Sequence, residues 1–577
     1  MRIININKRE IIYYDVSPYA ALSANAATGI GEAQEFSEVQ KLFAENMIYR
    51  SVQTCEHNYT VLDGTHREFE FDENIALWST EQSLENSRIL PGSVTLDVIF
   101  GGLQSGPGIA FFFDTQNNNR CDMLRVKWYK DNNLLADEIF EPDSAVYSCH
   151  NKVELYNRVT VEFMRMNMPR RYLKIEAVLF GIVRIFGDGD LENLTINEGF
   201  DPTGRTLYIN SANFTINTNN KNNINNKNNK KDEMPYLFMK RQPLHIKYNG
   251  MKLGSYYIDK SKKYADRRYA VEAVDKIGVL DASDEFMGGM YNNITAENLI
   301  NQIIGGVFDV VIDESLKNIF VNGWLPIMKR REALAQVALA IGAIVDATRT
   351  DYIKINPVPE FGEVSSIIEK DRVYQSSAVD IEFPFTGIEL TEHNFMASTS
   401  TRELYKDYFT GAGEKTVRFS EPASNLTIDN GTILFSGVNY AVIKSNGGTC
   451  VLSGKPYIDS KSSVVVKTDL SGEIEGTKER IEKIENGYLV NKNNSHEVAQ
   501  RLYNYYLRGN VFDGDFLVGK DGADINKTDK IDKIEKIGDI VKIATVFEDN
   551  YITGQIEKLT LIPGYKNIKA RGIIRGN

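Results

Sequence analysis

The feature that most constrains this chain is an alternation of apolar and polar residues at period two. It recurs in strand-length segments along most of the 577 residues and gives way to helical periodicity in only three places. A chain patterned this way must bury one face of sheet after sheet, so the expected fold class is mainly β and multidomain. At about 100–200 residues per domain, a chain of this length holds roughly three to five. The aromatic residues agree, with Tyr 29 and Phe 28 against Trp 3, because Tyr and Phe suit a pleated, half-buried surface.

Residues 1–48 mix small residues (SPYAALSANAATGIG) with a short charged stretch and read as an arm or linker. Residues 49–186 read as an antiparallel β-sandwich of jelly-roll or discoidin-like type. Within it Val94, Leu96, Val98 and Phe100 share one face, Val159, Val161 and Phe163 share another, and turns fall at Gly106-Pro107-Gly108 and Asp131-Asn132-Asn133. Residues 187–285 read as a first β-barrel, with the hairpin signal Asn249-Gly250 and an Asn/Lys-rich excursion at 217–231 that cannot bury enough apolar surface to order itself.

The period changes at Thr295, which can cap a helix over Ala296 to Ile304 before Gly305-Gly306 ends it. A second helix is expected over Arg331 to Ile341, stopped by Gly342, and the two define a small α/β domain at 286–358. Residues 359–400 and 471–577 read as a second barrel containing a helix at 496–508 with Ser495 as N-cap. Residues 401–470, Gly-rich with a turn at Asn430-Gly431, read as an inserted β module.

Charge and cysteine usage exclude several functions. A net charge of -12 opposes a phosphate-tracking surface, so DNA passage is expected and specific nucleic-acid binding is not. The longest apolar run, Ala333 to Val345, is broken by Gln336 and too short to span a bilayer, so no membrane anchor is expected and the chain should be made in the cytoplasm. Cys55, Cys121, Cys149 and Cys450 contain no CxxC pair and read as buried free thiols, with a Cys121–Cys149 bridge conceivable under oxidising conditions.

Motifs that imitate catalytic sites fail on their residues. His496-Glu497 begins like HExxH, but Gln500 stands where the second zinc ligand belongs. In TGAGEKT (Thr410 to Thr416), Glu414 occupies a position where a phosphate loop needs glycine. Asp188-Gly189-Asp190 offers a tight carboxylate pair without the further oxygens calcium prefers and reads as a turn. No catalytic residue, metal or cofactor is therefore expected. The binding candidate is a sugar-stacking set on the sandwich formed by Trp78, Arg170, Arg171 and Tyr172, with Trp128 assigned to the core by its place in the alternation.

Ordered fragments along most of the chain resemble one family, the hub or tail-associated structural proteins of phages and prophages of low-GC Gram-positive bacteria. They run from VLDGT, ALWST, RVKWYKDNNLL and PRRYLKIEAVLFG through KRQPLHIKYNGMKLGSYYID, AVDKIGVLD and FMGGMY. They continue with GWLPIMKRREALAQVALAIGAIVDATRTDYIKI, IELTEH, SHEVAQRLYNYYLR and KARGIIRG. The resemblance implies a hub fold of two β-barrels with small insert modules, assembled as a homotrimer whose six barrels form a ring.

The same resemblance implies a non-enzymatic virion component of the baseplate or tail tip, in a phage or tail-like bacteriocin. Its implied partners are the tail tube or distal tail protein, a central spike, the tape-measure protein and peripheral baseplate proteins. Two departures stand out. The sandwich ahead of the first barrel is similar to lectin-like domains, which makes a host-wall glycan a further candidate partner and receptor or glycan binding the alternative function. The chain also ends soon after its last strand, so wall digestion is expected of another subunit.

Overall fold

The computed structural model describes residues 9–43, 56, 76–114, 117–201, 207–217, 241–265, 268–347, 349–358, 363–382, 385–468, 479–518, 534–545, 550–564 and 567–576. The chain is mainly β, with several largely antiparallel sheets and a few short helices. Most of the Asn/Lys-rich excursion, and Cys55, fall outside the described residues.

The largest sheet has thirteen strands and draws on both regions expected to be barrels. Its order begins at Ala378–Ile381 and passes through Asn510–Leu517, Ile568–Gly576 and Tyr551–Pro563. It then crosses to Leu191–Gly199, Ser211–Asn217, Arg268–Val274, Met251–Ala265 and Pro243–Tyr248, and ends with Arg9–Val16 and Gly181–Phe186. Ile540–Ala544 branches from Tyr551–Pro563 and carries Ser366–Ile368 in parallel. The seam between the two regions is antiparallel, with Ile196 opposite Leu561 and Gly199 opposite Lys558.

One core lies against this sheet, running from Ile11 and Tyr13 through Ile196, Phe214, Ile246 and Tyr256 to Phe512, Leu559 and Ile574. Among the described residues no pairing closes either region into a cylinder, so the expectation of two separate barrels gives way to one continuous sheet. Alternation specifies which residues face inward, but a strand edge can satisfy its N–H and C=O groups on any neighbouring edge.

The N-terminal segment is also not an arm. Its run Ile11-Ile12-Tyr13-Tyr14 forms a strand of the large sheet between Pro243–Tyr248 and Gly181–Phe186. Ile11 and Tyr13 enter the main core, and Ile12 and Tyr14 enter a second apolar layer. The chain then makes a short helix, Pro18–Ser23, and adds Ala24–Thr28 to the next sheet.

That next sheet has seven strands, in the order Leu77–Gln82, Tyr172–Leu179, Ile89–Phe113, Val146–Met166, Cys121–Lys130 and Asn133–Phe140, with Ala24–Thr28 also on Ile89–Phe113. All seven strands are hydrogen-bonded into one sheet, and most of their buried apolar residues form a single core. The two longest strands change register between Ile99 and Gln104, at Gly106 and at Gly108, and such bulges bend a sheet. Trp128, Phe111, Phe113 and Phe163 fill its core, and Cys121 and Cys149 are buried free thiols within it.

In sequence, a three-stranded sheet falls between the two halves of the large sheet, with Val310–Ile312 parallel and Ala343–Asp346 antiparallel to Ile353–Pro357. The helix Ala296–Ile304 begins at Thr295, whose Oγ1 accepts from the Asn298 N–H at 3.4 Å. It ends at Gly305, whose φ of 64° is the left-handed cap that glycine adopts without a Cβ penalty. The helix Arg330–Ile341 is buried throughout from Ala333 onward, contributes to the cores on either side of it, and ends at Gly342 with φ 72°.

GIELTE was expected in the second barrel but makes its own sheet with Ser462–Lys467 and Ile481–Ile484, on which the helix Ser495–Tyr506 packs. That helix is preceded by Asn494 at the N-cap position, so Ser495 is its first residue. Residues 395–459 form a module of two small sheets around Val417, Phe419, Ala423, Ala441, Ile443 and Leu452.

Candidate glycan site and the joints between modules

The four residues singled out for sugar binding converge on one edge of the seven-stranded sheet. Trp78, on Leu77–Gln82, stands opposite Lys174, two residues beyond Tyr172. The indole is buried, 7% exposed, with the Phe36 and Tyr172 rings edge-on at 5.4 and 5.9 Å and the Lys174 Nζ 4.9 Å from its centroid. Arg171 is buried and its N–H donates to Ser83 Oγ at 3.1 Å. Arg170 adopts φ 55°, donates its N–H to Ser83 O at 2.9 Å, and pairs its half-exposed guanidinium with Glu85 at 2.7 Å.

Two residues that sequence reasoning missed hold this cluster. Glu56 is buried, accepts from the Tyr172 N–H at 2.7 Å and forms an ion pair with Lys174. Burial lowers the Lys174 ammonium below its usual range, with Glu56 opposing that shift. The signal was a lysine flanked by Leu173 and Ile175, since a buried cation requires an anion close by. Of the set, Arg170 is exposed and Tyr172 partly so, while Trp78 lies buried beside them.

The rejected motifs take ordinary places. TGAGEKT spans the turn between the strands Arg402–Phe409 and Gly413–Arg418. Asp188 pairs with Arg9 at 2.7 Å, and among the described residues no group of three His, Cys, Asp or Glu side chains converges as for a metal.

Buried polar groups instead mark where modules meet. Arg349, in the turn after Ala343–Asp346, grips Glu198 of the large sheet through two hydrogen bonds of 3.0 and 2.7 Å. It also donates to the Ile534 and Glu535 carbonyls at 3.2 and 3.0 Å. Burial pushes the Glu198 carboxyl up, and Arg349 opposes that shift. Glu535 in turn holds Arg372 at 2.7 Å, and Arg372 donates to the Leu517 carbonyl.

Next to this joint, Asp351 accepts from Ser255 Oγ at 3.0 Å, forms an ion pair with Lys252, and lies 3.3 Å from His245 Nε2. Hydrogen bonds from His245 and Lys252 hold its carboxyl well below the usual range. Lys276 Nζ donates to the Ala347 and Thr350 carbonyls at 3.2 and 2.7 Å. Asp275 caps its helix by accepting from the Gly278 N–H at 3.0 Å, while also accepting from Asn210 Nδ2 at 2.8 Å. Ala347 and residues 349–351 are thus clamped to three strands of the large sheet and to the helix Lys276–Asp281.

No protein-family model matches the chain, and no curated protein matches it. Several solved structures are similar. A tail protein from Neisseria meningitidis MC58 is 9% identical, with a TM-score of 0.40 over 68% of this chain and 94% of its own. Prophage tail protein gp18 from Listeria monocytogenes EGD-e is 12% identical, with a TM-score of 0.38 over 69% of this chain and 91% of its own. The E. coli c3393 protein, a type VI secretion component described as structurally similar to the phage T4 tail proteins gp27 and gp5, is 9% identical. Its TM-score is 0.32 over 67% of this chain and 74% of its own.

Proposed function

We propose that this chain is a structural, non-enzymatic component of a phage tail or tail-like injection particle. In this reading it is a hub that assembles as a homotrimer and joins the tail tube to the spike and peripheral baseplate proteins. The observation that carries the reading is the single large sheet. Strands from the first 274 residues and strands from the last 212 share one core, and the remaining modules hang from that frame or are clamped to it by buried ion pairs. Such a body is suited to holding neighbours at fixed positions. The fragments that resemble hub proteins fall on the same frame: PLHIKY and MKLGSYYID are adjacent strands of it, and KARGIIRG is its closing strand.

The test is native mass measurement of the 65.2 kDa chain, alone and in purified particles, with immunogold localisation on those particles. A threefold mass in the particle and label at the tail tip are expected. A monomer in the particle, or label along the tube, would overturn the reading.

A second reading, glycan binding through the seven-stranded unit, is favoured by the convergence of Trp78, Arg170, Arg171 and Tyr172 on one edge. Binding to a glycan array should weaken at least tenfold on Tyr172→Ala and survive Trp128→Phe. Equal binding by wild type and Tyr172→Ala would dismiss it.

A further inference from the structure

Strand edges carry unpaired N–H and C=O groups that will pair with any extended chain, and folded proteins cover or blunt them. The protein does so at three of the four ends of its two largest sheets. At Leu77–Gln82 the preceding chain lies along the edge, with Gln34 N–H bonded to Trp78 O at 2.8 Å and Thr80 N–H to Glu32 O at 3.1 Å. At Gly181–Phe186 the Ser148 hydroxyl both donates to Val183 O at 3.0 Å and accepts from its N–H at 2.9 Å. At the far end of the thirteen-stranded sheet the edge strand, Ala378–Ile381, is only four residues long.

Among the described residues the fourth edge is bare. Asn133–Phe140 is eight residues long, contains no lysine or proline, and pairs on one side only, with Cys121–Lys130. A bulge at the turn end, near Leu135, leaves Ala136–Phe140 in continuous register. The strand is exposed along almost its whole length, with Leu134, Leu135 and Ile139 at 53%, 43% and 57%. Ala136 and Phe140 pack at the rim of the core, so the apolar surface continues inward from the edge.

Charge narrows the occupant. Residues 131–143 contain five carboxylates, at Asp131, Asp137, Glu138, Glu141 and Asp143, and no lysine or arginine. Arg125 neutralises Asp137 through two 2.6 Å hydrogen bonds, and Asp131 is engaged by Asn157. Glu138 and Glu141 remain exposed, with no ion pair among the described residues. A second copy of the same edge would bring like charges together, which disfavours self-pairing.

We propose that the Asn133–Phe140 edge is a docking site for an extended segment of another protein, added as an eighth strand, in which aliphatic residues alternate with lysine or arginine. Its backbone would satisfy the open edge, its aliphatic side chains would cover Ile139 on one face, and its basic residues would face Glu138 on the other. The proposal does not rest on the function proposed above.

The experiment places a photo-reactive amino acid at Ile139 of the full-length chain, expressed in its native cells, and sequences the cross-linked peptide. Amide exchange across residues 133–140 is measured on the same purified complex and on the chain alone. A basic, strand-forming peptide from another protein is expected, together with at least tenfold slower exchange of alternate amides in the complex. Glu138→Lys should lower cross-link yield at least tenfold without moving Tm, and Glu138→Asp should restore most of it. Cross-linking to another copy of this chain, to an acidic peptide or to nothing, or unchanged exchange in the complex, would each overturn the proposal.

Discussion

The seven-stranded unit and the 395–459 module are both built from antiparallel strands, yet they are attached by a different balance of contacts. The unit has a large aromatic core and a mainly apolar joint, in which Ile12, Tyr14 and Val183 of the large sheet meet Ala110, Phe112 and Ala177, with the Ser148 hydroxyl bonded to the Val183 backbone beside them. The chain also crosses that joint twice, between Val16 and Ala24 and at Phe180. The module has six buried core residues and is held by one ring contact, Phe395 against Trp324 at 5.9 Å, and by polar contacts: His393 to Asp459 at 2.7 Å, and Arg418 to Glu285 at 2.6 Å on the surface. Burial of apolar area fixes a neighbour in place, whereas exposed polar contacts specify orientation and add little stability. The unit should therefore unfold with the large sheet, and the module on its own.

The largest effect expected from this contrast is at Phe112. Phe112→Ala should cost about 3–5 kcal/mol and split one unfolding transition into two by detaching the unit, as read by denaturant titration of Trp and Tyr fluorescence. A single transition shifted as a whole would show that the joint is not where coupling resides. Next is Ile443→Ala, which should cost about 2–5 kcal/mol confined to the module. Amide exchange should accelerate across 395–459 and stay unchanged across the large sheet.

A third test asks whether polar joints respond to pH where the apolar one does not. Burial pushes the Asp275 carboxyl up to about 7, from 3.8, and lowers the adjacent Lys276 ammonium to about 8. A raised carboxyl contributes stability that is fully present below about pH 4 and is lost as pH rises toward 7. Asp275→Asn keeps a capping side chain and removes the titration. The stability difference, variant minus wild type, should climb between about pH 4 and 7 and then level off. A flat difference would dissociate Asp275 from the pH response. The smallest effect belongs to Arg418→Ala, about 0–1 kcal/mol by the usual worth of an exposed pair, with the module still folded by amide exchange.

How much of this was legible varied with how local the signal was. Thr295, Gly305 and Gly342 announced helix ends because caps depend on a few adjacent residues. Trp128 read as core from its strand alone and is 1% exposed. The N-terminal strand was missed even though REIIYYDV carries four consecutive apolar residues, which is what a strand buried on both faces requires. Small residues around it suggested a linker, yet Ala20 and Ala26 are buried where close packing leaves no room for more. At the candidate glycan edge, Trp78 and Tyr172 were legible as aromatics in strands, but not the burial of Trp78. That burial depends on Phe36 and on the Glu56–Lys174 pair arriving from distant parts of the chain.

By itself the sequence determined that this protein is built of strands, which face of most of them is buried, and where the helices Ala296–Ile304 and Arg330–Ile341 stop. All of these follow from side-chain chemistry repeating over two to four residues. Only the tertiary structure decided that Leu191–Gly199 pairs with Tyr551–Pro563, and that one sheet replaces two cylinders. Every strand edge presents the same backbone donors and acceptors, so the choice of partner is made by the packing of whole modules.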